Sequence, residues 1–435
     1  MSVNIAETFM ATARRYGPRT AIIEAKSGKS ISFSQLEERA SRFATFFQEQ
    51  GVKPGEIVML MVKPSIDFVC LTLALFKVGA PVVLIDPGMG YRNLLRCIAR
   101  VEPRYLVGVP AAILFSRICA KPFATVTRRF CCGSSLGILG RNILGLPPPP
   151  SGGEQTYAAD ADDLAAIIFT TGSTGPPKGV RYEHRIFAAQ LALVKEAYGI
   201  DSGGIDQPAF PLFALFSVAA GACAIIPDMD ASRPATVNPL TFVASIRRYK
   251  VTYSFGSPAI WNVVSRYCQA AGITLESVEK VLMAGAPVPY ELLQRVRAIL
   301  PEQAEIFTPD GATERLPIVS IESREILDET CQLSRAGAGT CVGRPLAGID
   351  LAIIKISDQP ISRLSETTRL KPGERGEIIV SGAVVTRGYH NNPQATALAK
   401  IWDGEKLWHR MGDIGYLDEH GRLWFCGRVA HRVIT

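Results

Sequence analysis

One short segment constrains the fold of this chain more than any other. Residues 164–169 are all apolar, which predicts a buried strand. The ten residues that follow contain three glycines, four hydroxyl side chains and one lysine. Glycine lets backbone N–H groups approach an anion closely, and hydroxyls and an ammonium complete a ring of donors around phosphate oxygens. The segment therefore predicts a polyphosphate-binding loop formed by Thr170, Thr171, Gly172, Ser173, Thr174, Gly175 and Lys178.

This loop is not a Walker A loop. A Walker A loop needs a glycine directly before its lysine, and Pro177 stands there. The structural alternative is a flexible surface turn. That alternative explains the glycine and proline content, but it does not explain so many donors directly after a strand.

The overall composition is that of a globular protein. The chain has 435 residues, of which 47% are hydrophobic and 20% charged, with a net charge of +7. No basic, aromatic-rich stripe indicates nucleic acid, and an anionic substrate suits the charge equally well.

The ten cysteines form no Cys-x-x-Cys pair, and the five histidines are isolated, so no metal-ligand spacing occurs. With no signal peptide at the N-terminus, we expect a cytoplasmic protein.

The periodicity predicts alternating strands and helices in the first two thirds of the chain. Helices are expected over 34–49, 66–78, 242–249 and 260–271, and strands over 57–62, 81–85 and 281–283. This alternation favours largely parallel sheets covered by helices. After residue 350 the pattern changes to short strands, 351–356, 377–380 and 423–426, separated by turns, which predicts a small antiparallel part. The expected divisions are 1–160, 161–345, 346–427 and a hinge at 428–435.

Two stretches raise the question of membrane contact. Residues 209–226 carry no charge, and we interpret them as a buried helix that leads into a buried strand rather than as a membrane span. Residues 103–153 contain no acidic residue but several arginines. One hypothesis is a basic, apolar lip that would make the protein peripheral to the inner membrane. The favoured alternative is a surface whose arginines face acids elsewhere in the fold.

An ordered set of further short motifs accompanies the loop. They occupy residues 32–36, 75–80, 84–87, 284–287, 310–314, 376–377, 388–389, 411–413 and 427–428. Together with the loop, they resemble the adenylate-forming superfamily of acyl-CoA synthetases, luciferases and peptide-synthetase adenylation domains. The resemblance implies an α/β fold, with two helix-covered, largely parallel-sheet subdomains and a small β-barrel-like subdomain. It also implies a further small C-terminal domain, which is absent from a chain that stops at Thr435. Such a chain is expected to bind nucleotide but to form adenylate slowly.

The resemblance also implies a reaction in which a carboxylate attacks the α-phosphorus of ATP and yields an acyl-adenylate and pyrophosphate. Both reactants are anions, so their repulsion must be cancelled. Thr171 and Lys178 of the loop would hold the outer phosphates. Glu314 would hold Mg²⁺, directly or through water, and the alternative role for Glu314 is a surface ion pair with Arg315.

The resemblance places the rest of the nucleotide on other motifs. Asp413 would accept hydrogen bonds from both ribose hydroxyls, and Arg428 would contact the ribose or the α-phosphate. The adenine slot would be built from small residues and from the motif that precedes Glu314. These residues are Gly285, Ala286, Pro287, Asp310, Gly311, Ala312 and Thr313.

Two departures from the superfamily pattern bear on its ligands. Asp310 stands where relatives usually have an aromatic residue that packs on the adenine, so weaker ATP binding is expected. Ala214 stands where many relatives have a histidine after phenylalanine. With Phe213 and Phe216 it predicts a wide apolar wall for a long or branched acyl chain.

Among the branches of the superfamily, residues 85–90, 213–216, 308–309 and 427–433 resemble the β-lactone synthetases of bacterial long-chain olefin biosynthesis. That resemblance implies ATP and Mg²⁺ without coenzyme A, a 2-alkyl-3-hydroxy fatty acid as substrate, and other olefin-biosynthesis enzymes as partners. A fatty acyl-CoA ligase and a degenerate nucleotide-binding scaffold are the alternatives.

Overall fold

The computed structural model describes residues 3–134, 137–140, 142–146, 156–169 and 176–432. The chain divides into two compact units. The first comprises residues 1–191 and 200–232, and the second comprises residues 192–199 and 233–435.

The described strands of the first unit belong to two sheets. One sheet has six strands in the order β6-β5-β3-β4-β7-β8. Its pairs are parallel except β7 with β8. The other strands follow the order β9-β10-β1-β2, again parallel except at the last pair. The parallel arrangement that the sequence predicts is thus confirmed. The strands are β1 (Thr20–Glu24), β2 (Ser30–Ser32), β3 (Val58–Met61), β4 (Val82–Leu84), β5 (Tyr105–Gly108), β6 (Arg128–Cys131), β7 (Leu164–Phe169), β8 (Gly179–Glu183), β9 (Ile205–Pro208) and β10 (Cys223–Ile226).

Local sequence signals set the ends of the helices in this unit. The second helix starts with a capping box, in which the Ser32 Oγ and the Gln35 side chain each accept a hydrogen bond from the other residue's backbone N–H. The third helix ends at Gly79, whose φ of 76° only glycine adopts readily. The helices are α1 (Ile5–Tyr16), α2 (Phe33–Glu49), α3 (Ile66–Val78), α4 (Tyr91–Val101), α5 (Pro110–Ile118), α6 (His184–Tyr198, whose last residues belong to the second unit) and α7 (Phe213–Ala220).

The uncharged stretch over residues 209–226 forms α7 and then β10, as the sequence predicts. Every residue of α7 after Phe213 is buried. Within the described ranges, no helix combines the length and apolar character that a membrane crossing requires. The stretch is apolar because it belongs to the protein core.

The second unit begins with three parallel strands in the order β13-β12-β11. The first two helices of this part end at Lys250 and Gly272, which both have left-handed backbone. The elements are α8 (Pro239–Tyr249), β11 (Tyr253–Gly256), α9 (Pro258–Ala271), β12 (Lys280–Met283), α10 (Tyr290–Arg297) and β13 (Glu305–Phe307).

An antiparallel sheet follows in the order β14-β15-β16-β21-β20-β18-β17, with β19 paired to β20. The small antiparallel part is therefore confirmed, and its described strands form an open path rather than a closed barrel. The elements are β14 (Asp310–Ala312), β15 (Arg315–Ser320), α11 (Ser323–Glu325), α12 (Cys331–Leu333), β16 (Thr340–Pro345), β17 (Asp350–Ile354), β18 (Gly376–Ser381), α13 (Pro393–Ala399), β19 (Lys400–Asp403), β20 (Lys406–Leu417) and β21 (Leu423–Arg428).

A buried ion pair anchors β20 to β18. The guanidinium of Arg410 donates to Glu377 Oε2 from Nη2 at 2.6 Å and from Nε at 3.1 Å. It also donates to the carbonyls of Ser357, Gln359 and Leu398. These bonds satisfy the buried charge and fix the strand three residues before Asp413.

Candidate active site

The open sheet brings Asp413 between two arginines. Asp413 on β20 lies opposite Arg428 on β21, and Arg315 starts β15. Arg428 Nη1 lies 2.8 Å from Asp413 Oδ1, and Arg315 Nη2 lies 3.3 Å from Oδ2. The Asp413 side chain is 7% exposed and that of Arg428 is 41% exposed. The result is a fixed carboxylate with one partly solvent-accessible cation beside it.

Opposing effects act on the pKa of the Asp413 carboxyl, and burial is the largest of them. Burial raises the pKa of its carboxyl to about 6, and the charges of Asp310 and Glu377 act in the same direction. The guanidinium groups of Arg315 and Arg428 act in the opposite direction. The carboxyl is therefore ionised at neutral pH, but it gains a proton more easily than an ordinary aspartate does.

Asp310 belongs to the same charge cluster. It starts β14, which pairs with β15, the strand that carries Arg315. Burial raises the pKa of the Asp310 carboxyl, whereas Arg315, the Gly311 backbone N–H and Arg428 oppose this shift. The structure thus brings together three residues that the sequence assigns to the nucleotide, Asp310, Asp413 and Arg428. Asp310 is followed in its motif by three partly buried residues, Gly311, Ala312 and Thr313.

Glu314 lies in the turn between β14 and β15. Hydrogen bonds fix both its backbone and its side chain. The Tyr389 hydroxyl donates to Glu314 Oε1 at 2.8 Å. The Glu314 carbonyl accepts from the Thr386 backbone N–H at 3.0 Å and from its hydroxyl at 3.2 Å. Burial and the Glu314 charge both raise the pKa of Tyr389, so its hydroxyl remains a donor.

The ion pair considered as an alternative role for Glu314 does not form. Arg315, its neighbour in sequence, is buried and pairs with Asp413 instead. No cluster of three or more potential metal-ligating side chains occurs within the described part of the chain. Metal binding at Glu314 would therefore rest on one protein carboxylate.

The predicted adenine-side residues Gly285, Ala286 and Pro287 follow β12 and are exposed. They lie at the carboxyl end of a strand of the parallel sheet, which is where open α/β sheets bind ligands. Gly285 has a φ of 97°, and a Cβ built there would meet no atom within 4 Å. Backbone conformation, rather than crowding, therefore requires glycine at this position.

The phosphate loop is described only at its ends. Residues Thr170, Thr171, Gly172, Ser173, Thr174 and Gly175 lie outside the described residues, and their predicted role stays a prediction. Phe169 and Gly179 face each other across the β7–β8 pair, so the two ends of the predicted loop lie together. Lys178 is partly buried directly before β8.

All three predicted acyl-wall residues lie on α7. Ala214 is 1% exposed and lines an apolar pocket together with Phe68, Val69, Pro208 and Pro211. Phe213 and Phe216 instead form a row of ring contacts, with centroids 5.9 Å apart. Phe187 continues this row on the side of Phe216, and Phe210 on the side of Phe213.

Three residues of this site were not assigned from the sequence: Arg315, Thr386 and Tyr389. Tyr389 belongs to the motif at residues 388–389, and the contact of its hydroxyl with Glu314 gives that motif a role in the site. Arg315 had no such signal, because its partner is 98 residues away along the chain.

This combination of a parallel α/β fold, a fixed aspartate–arginine cluster and a held glutamate is that of an adenylate-forming enzyme, and the chain belongs to the AMP-binding enzyme family. The model of that family, described as AMP-binding enzyme, matches residues 9–390. Two relatives share a more specific name.

The chain is 43% identical over 412 residues to olefin beta-lactone synthetase of Stenotrophomonas maltophilia, covering 93% of this chain and 74% of that one. Olefin beta-lactone synthetase of Xanthomonas campestris pv. campestris is also 43% identical, over 93% of this chain and 73% of its own length. A solved long-chain-fatty-acid-CoA ligase from Archaeoglobus fulgidus shares the fold, with a TM-score of 0.81 at 23% identity over 98% of this chain and 84% of that one.

Proposed function

We propose that the protein activates a long-chain 2-alkyl-3-hydroxy fatty acid with ATP and closes the adenylate to a β-lactone. The observation that carries this proposal is the 43% identity, over 93% of the chain, to enzymes named olefin beta-lactone synthetase. In this reaction the acid oxygen attacks the α-phosphorus and pyrophosphate leaves. The 3-hydroxyl then attacks the acyl carbon, the acyl C–O bond to phosphate breaks, and AMP leaves.

The charge cluster supports a ribose site at Asp413. A carboxylate that is held from two sides keeps its oxygens in place to accept bonds from two neighbouring hydroxyls. Arg315 is buried and would set the orientation of this carboxylate. Arg428 is the more exposed cation and would turn toward the ribose or the α-phosphate when nucleotide binds.

The residues around Glu314 fit a magnesium ion bound mainly by the substrate. Mg²⁺ keeps several waters and typically binds through one or two carboxylates plus substrate phosphates. Tyr389 occupies Oε1 of Glu314, which leaves Oε2 for the ion or its water. When bound, Mg²⁺ would neutralise phosphate charge, and Glu314, Tyr389 and Thr386 would fix where it sits.

Closure of the ring would need no second substrate. A nucleophile tethered to the acyl carbon has a high effective concentration, so the 3-hydroxyl can compete without coenzyme A. The apolar wall of α7 would hold the alkyl chains and keep water from the reactive adenylate.

Mass spectrometry of the products from a long-chain 3-hydroxy acid with ATP tests this proposal. We expect a β-lactone and AMP in amounts that coenzyme A does not change. An acyl thioester that forms only with coenzyme A would instead support a fatty acyl-CoA ligase. Absence of pyrophosphate release would support a nucleotide-binding scaffold.

Lys178→Ala is expected to weaken ATP binding more than it slows the chemical step, because this lysine would hold the outer phosphates.

ATP affinity is expected to depend on pH through Asp413. Ribose binding requires the carboxylate, and the carboxyl has a pKa of about 6. The dissociation constant for ATP should thus be about tenfold higher at pH 5 than at pH 8. Calorimetry at the two pH values measures this difference. In Asp413→Asn, which cannot titrate, ATP binding should be weak at both pH values. A wild-type affinity that does not change would contradict the assignment.

Asp310→Tyr is expected to tighten ATP binding. A tyrosine ring can pack on the adenine face, whereas a carboxylate places negative charge near the nucleotide. Stacking of an aromatic ring on a base contributes about 1–3 kcal/mol, so the dissociation constant should fall by about fivefold or more. Calorimetry that shows no tightening would contradict this interpretation.

The proposal does not require membrane contact. In the basic stretch, the Arg104 Nε lies 3.1 Å from Glu56 Oε1, and the Arg129 Nε donates to the Ser116 Oγ at 2.9 Å. Arg128 donates to the carbonyl of Gln50. These bonds favour the interpretation that the arginines stabilise the fold.

A further inference from the structure

A buried carboxyl lies directly under the helix that carries the predicted acyl wall. Asp206 on β9 is 4% exposed, and its Oδ2 lies 2.6 Å from the Oγ of Ser217 on α7. The Ser217 Oγ also lies 3.0 Å from the carbonyl oxygen of Phe213, at the first turn of the same helix. These contacts form a continuous line from the strand to Phe213.

The protonation state of Asp206 determines which hydrogen bonds Asp206, Ser217 and the Phe213 carbonyl can form. A serine hydroxyl has one hydrogen, but two oxygens that normally accept lie within hydrogen-bond distance of it. The Phe213 carbonyl opens α7 and also accepts the helical bond from the Ser217 backbone N–H, so it is satisfied in either case. An ionised Asp206 could accept from the Ser217 hydroxyl, but its charge would be buried without a cation among the described residues. A protonated Asp206 would donate to the Ser217 Oγ, and the Ser217 hydroxyl would then donate to the Phe213 carbonyl. The protonated form is thus the one that avoids a buried charge and in which both hydroxyl groups donate.

The surroundings of Asp206 agree with a neutral carboxyl. Burial raises the pKa of Asp206 to about 7, and the bond to Ser217 only partly opposes this shift. On the neighbouring strand β10, burial raises the pKa of the Cys223 thiol to about 11, so that group is uncharged too. Arg19 and Asp206 itself act on Cys223 in opposite directions. Within the described residues, no basic side chain forms an ion pair with Asp206.

The line ends at the residues to which the proposed function assigns the acyl chain. Ala214, one residue after Phe213, and Pro208, two residues after Asp206, both line the apolar pocket. The ring of Phe213 contacts that of Phe216 in the next turn. Any movement of the first turn of α7 relative to β9 would therefore change the shape of this wall.

We propose that Asp206 is a specificity-determining positioning residue, which in its protonated form holds the first turn of α7 through Ser217 and so sets the shape of the acyl wall. It does not touch the reacting atoms. Its effect on the acyl chain rests on the proposed function, but the protonation of its carboxyl does not.

The test compares Asp206→Asn with Ser217→Ala. The amide introduced by Asp206→Asn can donate to Ser217 as a protonated acid does, so KM for the long-chain acid should stay within about twofold of wild type. Ser217→Ala breaks the line, and KM for the long-chain acid should rise about tenfold with an unchanged dissociation constant for ATP. Ser245→Ala is the matched control, because this buried serine also donates to the carbonyl three residues before it, that of Phe242. It should leave KM unchanged.

Infrared difference spectra of wild type and Asp206→Asn read the proton directly and need no turnover. We expect a protonated-carboxyl band at pH 6 that is lost by pH 9. Over the same range KM for the acid should rise in wild type but not in Asp206→Asn, because the carboxyl loses its proton as the pH increases.

Three outcomes would overturn the proposal. The first is absence of the band at pH 6. The second is loss of lactone formation in Asp206→Asn while adenylate still forms, which would make Asp206 a base. The third is a Ser217→Ala enzyme with unchanged KM. If no acid is activated at all, the proposed function fails, and the infrared band still decides whether Asp206 is protonated.

Discussion

Asp413→Ala should weaken ATP binding by about 100-fold or more, because it removes two charge-assisted hydrogen bonds to the ribose, each worth about 1.5–3 kcal/mol. The same change leaves Arg315 buried without its carboxylate partner. Loss of one member of a buried pair typically lowers the free energy of unfolding by about 3–5 kcal/mol. Calorimetry with ATP and urea unfolding measure the two effects separately.

Two variants keep this prediction interpretable. Asp413→Asn preserves the shape of the side chain, so it should lose ATP affinity with a smaller loss of stability. Asp350→Asn removes an exposed acid whose Oδ2 lies 2.6 Å from Lys406 Nζ on the same sheet, and it should change neither quantity measurably. If Asp413→Asn folds and binds ATP as tightly as wild type, Asp413 does not hold the ribose.

Glu314→Gln should lower the rate of Mg²⁺-dependent pyrophosphate release by about 100-fold or more, the usual effect of losing one electrostatic contact to a transition state. The amide oxygen can still accept from Tyr389, so the fold around the turn should be kept. A neutral amide is a poor ligand for Mg²⁺, so the loss should come from the metal rather than from local unfolding. Assays over a range of Mg²⁺ concentrations measure it.

Tyr389→Phe separates positioning from metal binding. It removes the donor to Glu314 Oε1 and leaves the carboxylate in place, so the rate should fall by only about tenfold. Both variants should bind ATP without Mg²⁺ much as wild type does. An equal loss in the two variants, or a loss in Glu314→Gln that is independent of Mg²⁺, would show that Glu314 has a structural role.

The regular elements could be predicted because their signals are local. The apolar residues of 66–78 give a helix with the predicted bounds, and those of 164–169 give a buried strand. The antiparallel pairing of β7 with β8 was not predicted, since strand direction depends on the connection rather than on the strand's own residues.

The candidate site was only partly predictable for a similar reason. Motif residues such as Asp413 and Arg428 are close in sequence, and β20 and β21 place them opposite each other. Arg315 follows Glu314 directly, so an ion pair between the two was the alternative to metal binding. The turn at Glu314 and the strand that starts at Arg315 instead give the two residues different partners. Asp206 and Ser217 belong to no motif, and only the packing of α7 on β9 shows their contact.

In the proposed mechanism an acid oxygen attacks the α-phosphorus of ATP, and the hydroxyl of the same molecule then displaces AMP. The most direct test uses a 3-hydroxy acid with both carboxyl oxygens labelled with ¹⁸O, followed by mass spectrometry of all products. The mechanism predicts one labelled oxygen in AMP, one in the lactone carbonyl and none in pyrophosphate. Label in pyrophosphate or inorganic phosphate, or AMP without label, would contradict it.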